Sequence, residues 1–331
     1  MLLLLQATAP QRPAQLTRFL EQSIGLDAAQ LAAVERGEPV VKVLETRDRR
    51  DVAVFGITTA PGPRAAYVRR VRDFPASLRT PNRTQLGIFS NPARMEDVAA
   101  VTISARDAAE MKSCKPGDCV VKLPATEMRV IREQVSWSAS PVEQQAQLST
   151  YARRRLVEYV TDYRARGDSA MAVYDDRGNL NVRSSEAFTA QLAESPYVYQ
   201  NVPSLREYFT AYPRGPLAGA SEILFWSEDV MPRLRPILSV THLVVYTPPE
   251  LPEVEVVAAK QIYANHYFEA AVDLTMVVDR VPGIYLVVLR RYRFDNLPGG
   301  ILNIRGRAIG ALRDQLLLDL RRQQTASEPA R

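Results

Sequence analysis

The most regular pattern in the chain lies near its C-terminal end. From 261 to 278, apolar and mainly polar positions alternate without a break. Ile262, Ala264, His266, Phe268, Ala270, Val272, Leu274, Met276 and Val278 fall on one face, and Gln261, Tyr263, Asn265, Tyr267, Glu269, Ala271, Asp273, Thr275 and Val277 on the other. A period of two predicts an antiparallel strand with one face toward a core and one toward water. Eighteen residues would run about 60 Å if straight, so such a strand must curve or bulge. Strands are expected on either side of it, at 237–247 and, after Pro282-Gly283, at 284–294. A final helix over 301–322 carries Ile301, Leu302, Ala308, Ile309, Leu312, Leu316 and Leu320 along one stripe. Gly306 and Gly310 inside it each cost about 1 kcal/mol relative to alanine. Close approach of a strand or room for a bound molecule would account for them.

Upstream, the pattern changes to short elements. Two short helices are expected within 13–36, the second opened by Asp27 and Gln30 at capping-box spacing and stopped at Gly37. Strands follow at 40–46 and 51–59, then a proline-rich loop with a short helix over 61–81. Further strands are expected at 86–90, 97–104 and 120–123, and a short helix at 106–113. The clearest helix is 141–166: Ser140 caps it, Pro141 suits its first position, Glu143 completes the capping box and Gly167 ends it. A hairpin is predicted over 170–183, where Asp175 and Asp176 sit at a glycine-containing turn that favours local hydrogen bonding. Two short aromatic-rich helices are expected over 185–212. The tail from Gln323 reads as disordered.

Together these elements predict an α+β fold: a curved antiparallel sheet with a long C-terminal helix, plus a helical insertion that includes 141–166. One body over 13–322 is expected, with β-rich parts at 36–135 and 220–322 and a helical part at 136–219. Composition supports a globular chain, with 46% hydrophobic and 24% charged residues among 331.

The net charge of +5 comes with 42 basic residues, of which only five are lysine (Lys42, Lys112, Lys115, Lys122 and Lys260). The arginines are spread along the chain without a nucleic-acid-binding motif, so no nucleic-acid partner is expected. The opening MLLLLQATAPQ is too short to span a bilayer, and 1–12 reads as a truncated signal segment or simply an apolar terminus. A signal would place the protein in the periplasm or outside the cell. Cys114 and Cys119 flank Lys-Pro-Gly-Asp, a turn that could bring the sulfurs together as a disulfide, as a secreted protein would use; two reduced thiols beside a turn is the other reading.

No phosphate loop, dinucleotide fingerprint or nucleophile elbow is present, so no cofactor is expected. Both histidines of the chain fall in the C-terminal strands. Parity puts His266 with Phe268 and Leu274, His242 with Val240 and Val244, and Arg290 with Val288 and Tyr292. If those faces all look inward, an apolar cavity would hold two imidazoles, a guanidinium and a phenol, the usual make-up of a small-molecule pocket. The other reading leaves each histidine as a satisfied core residue. No metal is expected, because Glu269 and Asp273 have the wrong parity to complete a site.

The segments ILSVTHLVVYTP, KQIYANHYFEAAVDLTMVV, GIYLVVLRRYRFDNL and GILNIRGRAIGALRDQLLLDL form a curved meander ending in a long amphipathic helix. In this order of elements, over about 100 residues, the chain resembles the helix-grip fold of the START and SRPBCC superfamily. The resemblance implies a deep cavity between sheet and helix that takes lipids or other hydrophobic molecules. The expected function is therefore binding of a hydrophobic or amphipathic small molecule, with His242, His266, Arg290 and Tyr292 at its polar end and Phe268 and Leu274 along the wall. Arg290 would favour an acidic headgroup. An enzyme using His266 as general base, and a structural protein without a cavity, are the alternatives.

Overall fold

The computed structural model describes residues 12–178, 181–231, 234–295 and 304–325. The expected signal segment lies almost wholly outside them, as do the start of the last helix at 301–303 and the end of the tail. The fold is α+β, with a large antiparallel sheet and a long C-terminal helix.

The first helices are α1 (Ala14–Arg18), continued by a π-helical turn over Phe19–Ser23, and α2 (Ala28–Glu35). Asp27 and Gln30 form the capping box that their spacing predicts. Then come β1 (Val40–Leu44), β2 (Asp51–Ala60), α3 (Arg64–Arg72), α4 (Phe74–Ser77) and β3 (Arg83–Ile88). The strand expected at 97–104 is absent; a 3-10 turn over Met95–Val98 and a loop occupy it. Next are α5 (Ala105–Met111), α6 (Ala125–Gln134) and α7 (Pro141–Arg166). No strand forms at 120–123, and α6 has no counterpart among the expected elements. For α7 the capping box of Ser140 and Glu143, Pro141 in the first turn and Gly167 at the end all stand as expected.

The predicted hairpin over 170–183 is reduced to a two-residue pair, β4 (Val173–Tyr174) and β5 (Val182–Arg183). Three helices rather than two follow: α8 (Ser184–Ala193), α9 (Pro196–Asn201) and α10 (Pro203–Ala211). The C-terminal meander is β6 (Ser221–Asp229), β7 (Ile237–Tyr246), β8 (Val254–Ala264), β9 (Phe268–Asp279) and β10 (Ile284–Phe294), followed by α11 (Ile304–Thr325). Residues 323–325, expected to be disordered, continue this helix.

The single long strand expected over 261–278 is corrected to a hairpin. The chain reverses at Asn265–Tyr267, where Tyr267 takes φ 63°. Asn265 stabilises the reversal by accepting from the Leu238 amide through Oδ1 at 2.9 Å. The pairing register shifts beside Ile262 and again beside Glu269, so a bulge lies on each side of the turn.

Eight strands form one sheet in the order β1-β2-β10-β9-β8-β7-β6-β3, all pairs antiparallel. The N-terminal β-rich part thus flanks the C-terminal meander on both edges. Helices cover the two faces unequally. On one face α1, α2, α7, α8, α9 and α10 pack against Phe55, Ile57, Leu274, Ala258, Val244 and Leu224 in the main core. On the other, α11 lies over β1 and β2, with Leu316 and Leu320 packed on Val54 and Val288. Gly56 permits that approach: a Cβ there would meet both leucines at 2.9 Å. On the same face Tyr67 of α3 packs on Val277 and Leu286, while Phe74 and Leu78 pack on Phe225 and Leu243.

Candidate functional site

Between these two sets of helices the middle of the sheet is left partly bare. Residues paired across antiparallel strands point to the same side. One row on the α11 face therefore reads Val54, Arg290, Asp273, Ala259, Leu243 across β2, β10, β9, β8 and β7. The rows beside it hold Thr275 with Val257, and Tyr292, Ala271, Gln261 and Thr241. Thr275, Val257, Ala259, Gln261 and Thr241 are half-buried, and Asp273 keeps 43% of its side chain exposed. The matching rows on the opposite face are closed: Leu274, Ala258, Val244, Lys260 and His242 are all buried to 1% exposure or less. Central strands of an eight-stranded sheet are thus dry on one side and wet on the other.

The wet side is a trough floored by β7, β8 and β9. One wall is α11. The other is the segment from α4 to β3, and Asn82 reaches from that side to Gln315 of α11 at 3.3 Å. Small residues line the floor (Ala259, Ala271, Thr241, Thr275), of which Ala259, Thr241 and Thr275 stay half-buried. At one end Phe268 meets the tilted rings of Tyr292 and Phe294, at 5.6 and 4.9 Å between ring centres, and packs with Ala308, Ile309 and Leu312 of α11.

Polar groups gather at the β9–β10 side of the floor. Arg290 donates from Nη1 to Asp319 of α11 at 2.8 Å, and the Tyr292 hydroxyl donates to Asp273 at 3.1 Å. Gln315 donates to the other oxygen of Asp319 at 2.8 Å.

The structure divides the expected site residues. Arg290 and Tyr292 face the trough, and Phe268 closes its end. Leu274 lies on the opposite face, buried in the main core. His242 is on that opposite face too, so the expected convergence with Arg290 does not occur: neighbouring strand residues alternate sides, and His242 pairs with Lys260 while Leu243 pairs with Ala259. The His242 ring is held between the Tyr163 hydroxyl at Nδ1 (3.1 Å) and the Tyr208 hydroxyl at Nε2 (3.0 Å), with Tyr208 in turn hydrogen-bonded to half-exposed Glu222. Burial lowers the His242 pKa against the pull of Glu222.

His266 stands at the hairpin end, away from both. Its Nδ1 lies 3.0 Å from the Val120 carbonyl and its Nε2 3.2 Å from Asp107, which Arg235 also grips at 2.6 Å. Both ring nitrogens are engaged and the residue is 2% exposed, so the ring offers no open lone pair to a substrate. Although burial opposes it, His266 and Arg235 hold the Asp107 carboxyl below its usual pKa.

Cys114 and Cys119 form a disulfide, with Cα atoms 4.4 Å apart. The turn they close is docked on the predicted Asp175-Asp176 turn: the amides of Gly117 and Cys119 donate to the carbonyls of Asp175 and Asp176. The Asp175 carboxylate accepts from the amides of Ala125, opening α6, and of Asn181, both at 2.7 Å. This local hydrogen bonding is the role that the glycine-containing turn suggests.

Sequence reasoning missed Lys260, the most buried charge of the main core. Its ammonium bonds Asp168 and the Phe209 carbonyl and sits 4.0 Å over the Phe188 ring, and desolvation brings its pKa down to about 8. The alternation that marks β8 carried a signal, since a lysine at a strictly apolar parity must find a partner inside. Among the described residues no group of three or more His, Cys, Asp or Glu side chains is placed to hold a metal ion, and no helix is long and apolar enough to cross a membrane. Comparison with protein-family models, with curated proteins and with solved structures gave no match.

Proposed function

We propose that the protein binds a small amphipathic molecule in the trough beside α11. The observation that carries this reading is the contrast between the two sides of β7–β9: half-buried Ala259, Gln261, Thr241 and Thr275 against fully buried Ala258, Lys260 and His242. Apolar walls with a few fixed polar groups are what small-molecule sites are made of. A long C-terminal helix packed on an antiparallel sheet is also what kinship with helix-grip proteins would imply.

The polar end is reassigned from the sequence expectation. Arg290 already has Asp319 at 2.8 Å and Asp273 at 3.9 Å, so it is poorly placed to recruit an acidic headgroup. Asp273, 43% exposed and bonded by the Tyr292 hydroxyl, is the acceptor with lone pairs to spare, which favours a ligand ending in an N–H or O–H donor, such as an amine or alcohol. A disulfide and an apolar N-terminal segment are compatible with a periplasmic or secreted setting.

Calorimetric titration with six- to ten-carbon alkyl amines, alcohols and carboxylates tests this. Amines are expected to bind best and carboxylates least, and Ala259→Phe, which fills the floor, should abolish binding. Absence of binding by all three classes would end the proposal.

A further inference from the structure

We infer that the sheet face opposite the trough carries a second binding site, between α1 and α9, for a short-chain monocarboxylate. Two adjoining cavities make it. The first is apolar, measures about 50 Å³ and is lined mainly by Leu16, Phe19, Val198, Val254, Met276 and Val278. The second is a polar recess of about 240 Å³, lined by Gln15, Arg18, Gln22, Ser23 and Asn201 together with Phe19. Gln15, Phe19 and Asn201 belong to both linings, which sets the recess beside the apolar hole.

Helix geometry gathers these groups. Gln15, Arg18, Phe19, Gln22 and Ser23 recur at helical spacing, so they share one face. That face belongs to α1 and the π-helical turn after it, in which the Ile24 amide reaches back to the Phe19 carbonyl at 3.1 Å. Turns widened in this way recur at functional sites. Asn201 ends α9, and Gln15 donates to its Oδ1 from Nε2 at 3.1 Å, tying the two helices together where the cavities adjoin. Leu16, Phe19 and Met276 keep 7–8% of their surface exposed, whereas Leu20, next in the chain, and Val256, paired with Met276, keep none. The apolar cavity therefore opens outward from the core.

The lining selects the ligand. A hole of this size takes about three to four water-sized groups, or an alkyl chain of about four carbons. Arg18 is exposed, and no described residue gives it a hydrogen bond or an ion pair. No acidic side chain is among the described residues that line the recess. A guanidinium with free nitrogens holds a carboxylate through charge-assisted hydrogen bonds. Glu253 lines the apolar cavity but not the recess, so a second carboxylate at the far end of the ligand would meet repulsion.

Methyl NMR spectra of the full chain, titrated with sodium butanoate against sodium chloride at equal ionic strength, test the site. Saturable shifts are expected at Leu16, Val198 and Met276. Butylamine should not reproduce them, and hexanoate, which overfills the hole, should need a higher concentration. Arg18→Gln, a change at the surface, should raise the Kd for butanoate by about threefold, the scale of one exposed ion pair. Ala259→Phe, in the trough, should leave that Kd as it is. Shifts that are absent, that do not saturate, that butylamine reproduces, that hexanoate produces at lower concentration or that Arg18→Gln leaves unchanged overturn the inference. Loss of the shifts in Ala259→Phe would put the acid in the trough and overturns it equally.

Discussion

Arg290 faces Asp273 across the β9–β10 pair, with Nε 3.9 Å from the carboxylate, while its Nη1 holds Asp319 on α11 at 2.8 Å. One guanidinium thereby ties the helix to the floor of the trough. Asp319 has a second cation, Arg322 at 3.4 Å, whereas Asp273, the more exposed of the two at 43% against 27%, has Arg290 at 3.9 Å and the Tyr292 hydroxyl.

Asp273→Asn keeps the shape of the floor and removes the open negative charge. Binding of an alkyl amine should weaken by about tenfold or more, the scale of one charge-assisted hydrogen bond. Binding of the matching alcohol should change much less. Titration calorimetry on both ligands checks this, and equal losses for amine and alcohol would contradict the role given to Asp273.

Two glycines should respond to alanine in opposite ways. At Gly87 a Cβ would come within 2.3 Å of Trp226 Nε1 and 2.6 Å of the Asp97 carbonyl, the pair whose hydrogen bond crosses that spot at 2.8 Å. Gly87→Ala should destabilise by about 1–3 kcal/mol or more through overpacking. At Gly310 in α11 a Cβ meets nothing within 4 Å. Gly310→Ala should stabilise by up to about 1 kcal/mol from helix propensity alone. Chemical denaturation of both variants measures the two signs.

Lys260 makes stability depend on alkaline pH. Its folded pKa of about 8 lies below the ordinary lysine value of 10.5. Between those values the unfolded chain holds a proton that the folded chain has released, so stability should rise with pH from about 8 toward 10 and show no such rise from this group below 8. Lys260→Met should flatten the rise. Melting temperatures of both proteins from pH 7 to 9.5 provide the check; a natural protein with no upward slope above pH 8 would contradict the desolvated state of this lysine.

Locally encoded features were legible in the sequence. The capping boxes at Asp27 and Ser140 need only residues three apart, and both formed as spaced. Strand faces were legible one strand at a time. The β8–β9 hairpin was hidden because its three-residue turn keeps even positions on the same face, so alternation ran through Asn265–Tyr267 unbroken. The turn contains neither glycine nor proline, and the residue that takes positive φ is a tyrosine. The two bulges that aim Ala264 and Phe268 toward α11 leave no mark in the polarity pattern. The trough itself depends on which strip of the sheet the helices leave uncovered, which is a property of three-dimensional packing. His242 and Arg290 could be assigned to faces, but not to the same or opposite sides, until the pairing order of β7 through β10 was known.

The trough beside α11 is tested most directly by the reactivity of a single thiol on each side of β8. Ala259 and Ala258 are neighbours in the chain; the first is half-buried on the trough floor, and the second is fully buried against the opposite helical layer. Cysteine placed by Ala259→Cys should react with a small neutral disulfide reagent in the native protein and be protected by a bound alkyl amine. Cysteine placed by Ala258→Cys should react only on unfolding. Equal, unfolding-limited reaction of both thiols would contradict the existence of an accessible trough.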